Sequence, residues 1–303
     1  MRPDKKQLEK FYAFYKPDSE FAAIARLRQS KWRDSKNYPK PKDKLGNYLD
    51  LNFAKTTKCN FLTDKIKTLV QYQIYLSHQN KKLISEPRIW ENLLSSQPLA
   101  FNLFGELHFD LKLATKFFKK RYPDTVAEVT NILFEHSPGR GNKDYTGDHS
   151  AFDVFIEFTS KDNQKGFIGI EVKYAENMSD SKDSCDRIFE DHGSRYLKLS
   201  RQSNVFKAGA VDYLKNPPLQ QVWRDHLLAI STLRDYNNGF FVFLYPKDNK
   251  DCERVVTDYE QYLHSDSSKC RFVPETLEDY LKVLSDCSKA DWIKDFSKRY
   301  LDQ

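Results

Sequence analysis

Residues 152–174, FDVFIEFTSKDNQKGFIGIEVKY, decide the fold. Both ends of this stretch are aromatic and β-branched, the composition of strands. Its centre, Ser160 to Lys165 followed by Gly166, is polar and reads as a hairpin connection. Asp153 and Glu171 lie nine residues either side of Asp162. A hairpin folded about Asp162 therefore sets the two acids opposite each other, with Cβ atoms roughly 4.5–5.5 Å apart. Lys173 falls on the same face, because strand side chains alternate with a period of two. The opposite face collects Val154, Ile156 and Phe158 with Ile168, Ile170, Val172 and Tyr174. A slip of one residue would bury the charges, so this register is expected, with the charged face on the side away from the core.

Two carboxylates this close repel each other unless something positive lies between them. A hard divalent cation such as Mg²⁺ meets that need and keeps several waters of its own. A cation so held can orient and polarise a phosphodiester and lower the pKa of a bound water. Lys173 then stands where it can position that water or stabilise charge on the phosphorus. Taken alone, an Asp with a Glu-x-Lys on a hairpin more often forms a cross-strand salt bridge on a solvated face. The surrounding sequence chooses between the two.

Asp153 followed by Glu171-Val172-Lys173 resembles the motif of the PD-(D/E)XK phosphodiesterases, the restriction-endonuclease-like nucleases, with Phe152 in place of the motif's proline. SSQPLAFNLFGEL (95–107), FEHSPGR (134–140), GDHSAFD (147–153), GIEVKY (169–174) and LQQVWRDH (219–226) are similar to a bacterial group within that superfamily. The resemblance implies an α/β fold with an αβββαβ core around a mixed central sheet. It implies a Mg²⁺-dependent DNA nuclease, with Mn²⁺ able to substitute and RNA left open as substrate. Asp153, Glu171 and the backbone carbonyl of Val172 would bind the metal, Lys173 would position the attacking water, and the product would carry a 5′-phosphate. An acid on the first core helix can complete such sites, which nominates Glu106, with Glu135 as competitor. Asp148 is placed in the connecting loop by Gly147 and the hairpin register, so Asp153 is preferred as ligand.

Gln220, Gln221 and Arg224 share a helical face, since residues three and four apart are neighbours. The segment resembles the glutamine helix of RecB-like and λ-exonuclease-like members, where a Gln bonds the catalytic lysine or the metal-bound water and an Arg holds a phosphate. Gln221 is the preferred inward residue and Arg224 the phosphate contact. Arg140 and Arg195 are further phosphate candidates, the second on a mobile lid.

The chain carries 303 residues, 30% of them charged and 14% aromatic, with net charge +6. It is globular, with no run approaching the ~20 apolar residues of a membrane span. Five widely spaced cysteines without a Cys-x-x-Cys point to a reducing cytoplasm and away from structural zinc. No Walker A loop, Gly-x-Ser-x-Gly or His-Glu-x-x-His occurs, so NTPase, serine hydrolase and zincin readings lack support. Residues 1–60 hold fifteen Lys or Arg against seven Asp or Glu. Arg26, Arg28, Lys31 and Arg33 cluster around Trp32, a pattern suited to a polyanion.

The expected organisation is a basic helical region over 1–97, a nuclease core over 98–250 and C-terminal helices over 251–303. In the core a helix over 98–121 precedes a strand at 126–135, the hairpin, a polar stretch at 175–209, a helix at 219–233 and a buried strand at 239–245. The family type suggests a bacterial DNA-processing or phage-defence setting. Oligomeric state and protein partners stay open, as do two rival readings, a non-catalytic nucleic-acid binder and a nuclease toxin.

Overall fold

The computed structural model describes residues 1–80, 84–178, 181–265 and 270–302. The chain begins with helices α1 (Lys5–Lys10), α2 (Glu20–Ser35), α3 (Leu51–Thr57), α4 (Asp64–Asn80) and α5 (Arg88–Glu91). The core follows as α6 (Ser96–Phe109), α7 (Leu111–Arg121), β1 (Val126–His136), β2 (Phe152–Ser160), β3 (Lys165–Val172), α8 (Lys182–Ser203), α9 (Val211–Leu214), α10 (Gln220–Thr232) and β4 (Asn238–Tyr245). The chain ends with α11 (Lys250–Glu260), β5 (Cys270–Thr276), α12 (Leu277–Cys287) and α13 (Asp291–Tyr300).

One mixed sheet runs in the order β1-β2-β3-β4-β5, the first three strands antiparallel and the last two parallel to β3. Val154 pairs with Ile170 and Ile156 with Ile168, the register expected from the symmetry about Asp162. Gly169 is needed there. A Cβ on it would come within 2.5 Å of the Phe152 ring, which lies across this residue.

The sheet is a middle layer, which corrects the expectation that its charged face lies away from the core. Val154, Ile156, Ile168, Ile170, Val242 and Leu244 face one apolar cluster, which also takes in Phe21, Phe104, Tyr280 and Tyr300. Phe155, Phe167, Phe241 and Phe243 face a second, with Trp223 and Leu227 of α10 and Tyr196 of α8. Phe155 of β2, Phe167 of β3 and the alternating Phe241, Phe243 and Tyr245 of β4 make this second face apolar too. A sheet buried on both sides follows.

Three local expectations also change. The single helix over 98–121 is two, because Asp110 ends α6 and its side chain caps α7 by accepting from the Leu113 amide at 2.9 Å. The stretch 175–209 is mostly α8, a 22-residue helix that buries Cys185, Tyr196 and Leu199. The C-terminal segment contributes β5 as well as helices. Pro274 and three charged or polar residues disguise this strand, and its edge position, paired only to β4, tolerates a proline. All five cysteines are buried. No described helix is long and apolar enough to cross a membrane.

Candidate active site

The site forms where β2 begins and β3 ends, under the first turns of α10. Asp153 Oδ2 accepts a hydrogen bond from the Val172 amide at 2.8 Å, which ties the two strand ends together beyond their last ladder pair. Lys173 donates through Nζ to Glu171 Oε1 at 2.7 Å and to Gln221 Oε1 at 3.0 Å. Gln221 Nε2 donates back to Glu171 Oε1 at 2.9 Å, so glutamate, lysine and glutamine close a three-membered ring. Glu171 and Lys173 are 7% and 6% exposed, low enough for their charges to interact strongly. Gln220 turns the other way, with Nε2 donating to the carbonyls of Cys185 and Lys215.

Burial, then repulsion from Glu171 and Glu135, pushes the Asp153 carboxyl well above its ordinary pKa. For Lys173 burial works against the charge, but Glu171, Glu176 and Asp153 together more than offset this, and the ammonium is held above the usual lysine value. Asp153 Oδ1 and Glu171 Oε2 make no hydrogen bond among the described residues. These two oxygens, in a place where two acids raise each other's cost of ionisation, fit a divalent cation that takes two carboxylates and keeps its waters. Among the described residues no three acidic, histidine or cysteine side chains converge closely enough to enclose an ion by themselves.

Glu106 is not near this point. It lies in the last turn of α6 rather than near the start, held by the Thr63 hydroxyl at 2.6 Å and Lys65 at 3.4 Å. The start of α6 is the end nearest the site, and ten residues of helix carry Glu106 roughly 15 Å along the axis. Glu135 lies closer. The pairs Phe134↔Val154 and His136↔Phe152 set it beside Asp153, and Gln97, in the first turn of α6, donates to its Oε1 at 2.5 Å. Glu135 is 7% exposed and has φ +48°, an unusual conformation for a non-glycine strand residue that clusters at functional sites.

The basic residues are mostly committed elsewhere. Arg26 grips Asp18 through two 2.7 Å bonds and Asn47 through a third at 2.6 Å. Arg28 donates to the Tyr300 carbonyl at 2.7 Å, and Arg33 is buried beside Asp34 at 3.5 Å. Of the four, only Lys31 is exposed. The expected polyanion surface on α2 is therefore largely an internal joint with α13 and the loop before α3. Arg140 donates to the His149 carbonyl at 2.9 Å, within its own loop. Arg195 donates to the carbonyls of Tyr145 and Asp144 from a packed helix rather than a mobile lid.

Arg224 donates to the Ser150 hydroxyl at 3.0 Å and lies 3.7 Å from Asp148. Asp148 also accepts from Thr146, Tyr196 and both the amide and the hydroxyl of Ser150. Burial raises its pKa, but these hydrogen bonds outweigh burial and hold it below the usual value. It is thus the anchor of the 137–151 loop on α8 and α10, with its oxygens already used. Two carboxylates escaped the sequence reading. Glu176 accepts from the Tyr174 amide at 2.7 Å and supports the charge on Lys173. Asp225, one turn beyond Gln221, is 6% exposed, and burial with repulsion from Glu171 raises its pKa. Its spacing of four from Gln221 was the available signal.

A family model described as the PD-(D/E)XK nuclease superfamily matches residues 16–302. The chain belongs to that superfamily. The match takes in α2 to α5 and α13 as well as the sheet, so this PD-(D/E)XK nuclease family includes those helical layers in its fold. No curated protein and no solved structure matches the chain.

Proposed function

We propose that this PD-(D/E)XK protein hydrolyses DNA phosphodiester bonds with Mg²⁺, Mn²⁺ substituting. The observation that carries the reading is the convergence of Asp153, Glu171 and Lys173, with Gln221 closing the ring. Asp153 Oδ1, Glu171 Oε2 and the Val172 carbonyl would hold the cation, and a cation there supplies a polarised phosphoryl oxygen and a more acidic water. Lys173 has spent two of its three N–H donors on Glu171 and Gln221, which fixes where the third points. That donor orients the attacking water and then meets the charge developing on the phosphorus. Gln221 keeps the ammonium from swinging away, while Glu135, one strand further out, orders the water shell. Cleavage of the P–O3′ bond leaves a 5′-phosphate.

The alternative is a nucleic-acid binder without catalysis, and the complete Asp, Glu and Lys set favours the enzyme. The deciding experiment incubates labelled linear and covalently closed circular DNA with the protein and Mg²⁺ or Mn²⁺. Cleavage is expected to stop with EDTA, with Asp153→Ala and with Lys173→Ala, while Lys173→Ala still binds DNA. Degradation of the circle identifies an endonuclease, and degradation of the linear form alone an exonuclease. Identical behaviour of wild type and Lys173→Ala would leave the binder as the better reading. A cytoplasmic role in bacterial DNA processing or phage defence fits the proposed activity and five widely spaced, buried cysteines without a Cys-x-x-Cys.

A further inference from the structure

A cavity of ≈ 930 Å³ lies between α2, residues 59–62 and α13, and none of Asp153, Glu171 and Lys173 lines it. Leu27, Phe61 and Leu62 give it an apolar wall, and the rings of Trp32 and Tyr38 stand beside them. Arg28, Lys31, Lys36 and Lys298 also line it. Asp295 and Asp302 also reach it, yet none of the four cations forms an ion pair among the described residues. Arg28 gives one nitrogen to the Tyr300 carbonyl, and its Nε is buried with no acceptor.

This is a costly arrangement by itself. Four cations around one cavity outnumber its two carboxylates, and a buried donor without a partner costs roughly 1–3 kcal/mol. Arg26, two residues earlier on the same helix, is instead satisfied internally by Asp18 and Asn47. An anion in the cavity would satisfy Arg28 and the three lysines together. The volume falls in the range of small-molecule pockets, about 300–1,000 Å³. A polymer backbone is the poorer fit, because Arg26 and Arg33, which could have extended a basic stripe along α2, are both buried.

We propose that this cavity binds a small organic anion, a phosphate head on a planar aromatic body, with Arg28 and its lysine neighbours on the head and Trp32 and Tyr38 on the body. The site is independent of the catalytic reading and stands or falls without it.

Adenosine 5′-monophosphate and inorganic phosphate, titrated by calorimetry into the full chain in EDTA, test the assignment. The nucleotide is expected to bind one per chain. Lys31→Glu and Lys298→Glu, both at exposed positions, should each weaken it by about tenfold or more, the scale of one lost charge contact. Unchanged thermal unfolding of these variants shows that the fold is kept. Asp153→Asn should leave the affinity as it is, and phosphate alone should bind about tenfold more weakly than the nucleotide. No binding at millimolar nucleotide overturns the proposal, as does a loss confined to Asp153→Asn. Phosphate binding as tightly as the nucleotide removes the aromatic body from it. Displacement of the nucleotide by a short oligonucleotide but not by phosphate would reassign the surface to a nucleic-acid backbone.

Discussion

Gln221 holds Glu171 and Lys173 at once, its amide nitrogen 2.9 Å from the carboxylate and its amide oxygen 3.0 Å from the ammonium. A glutamine is the side chain that can donate to one and accept from the other without adding charge. Gln221→Ala should leave the fold intact and lower kcat by about 10- to 100-fold, the usual cost of losing such a supporting bond. KM for DNA should change little. Steady-state cleavage of a labelled duplex measures both, and an unchanged kcat would remove Gln221 from the machinery.

Asp148 and Asp153 are five residues apart and have opposite roles. Mn²⁺ titration followed by electron paramagnetic resonance should show binding retained in Asp148→Asn and lost in Asp153→Asn. Asp148→Ala should instead destabilise the protein by about 3 kcal/mol, because it leaves Arg224 buried beside an empty position. Urea unfolding provides that number.

Glu106 and Glu135 can be separated in the same way. Glu106→Ala should cleave DNA at nearly the wild-type rate, since its partners are Thr63 and Lys65. Glu135→Gln should weaken Mn²⁺ affinity by about tenfold, as expected for a residue ordering the water shell. The reverse pattern in a parallel titration would return Glu106 to the site.

His226 bonds Tyr259 and the Cys270 carbonyl in the core, and burial lowers its pKa to about 4 from 6.5. The folded protein binds this proton less well than the unfolded chain does. Stability from this group is therefore full above pH 6.5 and is lost as pH falls toward 4, by on the order of 3 kcal/mol. His226→Leu should be less stable at pH 8 but show a flatter decline across that window. Thermal unfolding as a function of pH compares the two slopes.

Arg26 was expected to meet DNA, and its bonds to Asp18 make it a structural joint. Arg26→Ala should cost about 3–5 kcal/mol, because Asp18, with its side chain 5% exposed, is left without its partner. DNA affinity of the remaining folded protein should not fall. A filter-binding assay beside an unfolding curve distinguishes the two effects.

The hairpin register followed from period-two alternation and a turn of fixed length. Both are local properties, and the pairs Val154↔Ile170 and Ile156↔Ile168 needed nothing beyond residues 152–174. The nearness of Asp153, Glu171 and Lys173 came with that register, and the 3.6-residue period of a helix narrowed the glutamine to one of two. Distances along the chain say nothing about which carboxylate another element delivers. Glu106 and Glu135 look equivalent in sequence until α6 is laid against β1. The arginines of α2 likewise look like a surface charge cluster, because an internal partner such as Asp18 or the Tyr300 carbonyl is invisible without packing. Local backbone chemistry thus determined the strands and the acid–acid–amine motif. Which charges face inward, and what they find there, was decided only when the helices closed over both faces of the sheet, since burial is a property of the whole chain and not of any segment.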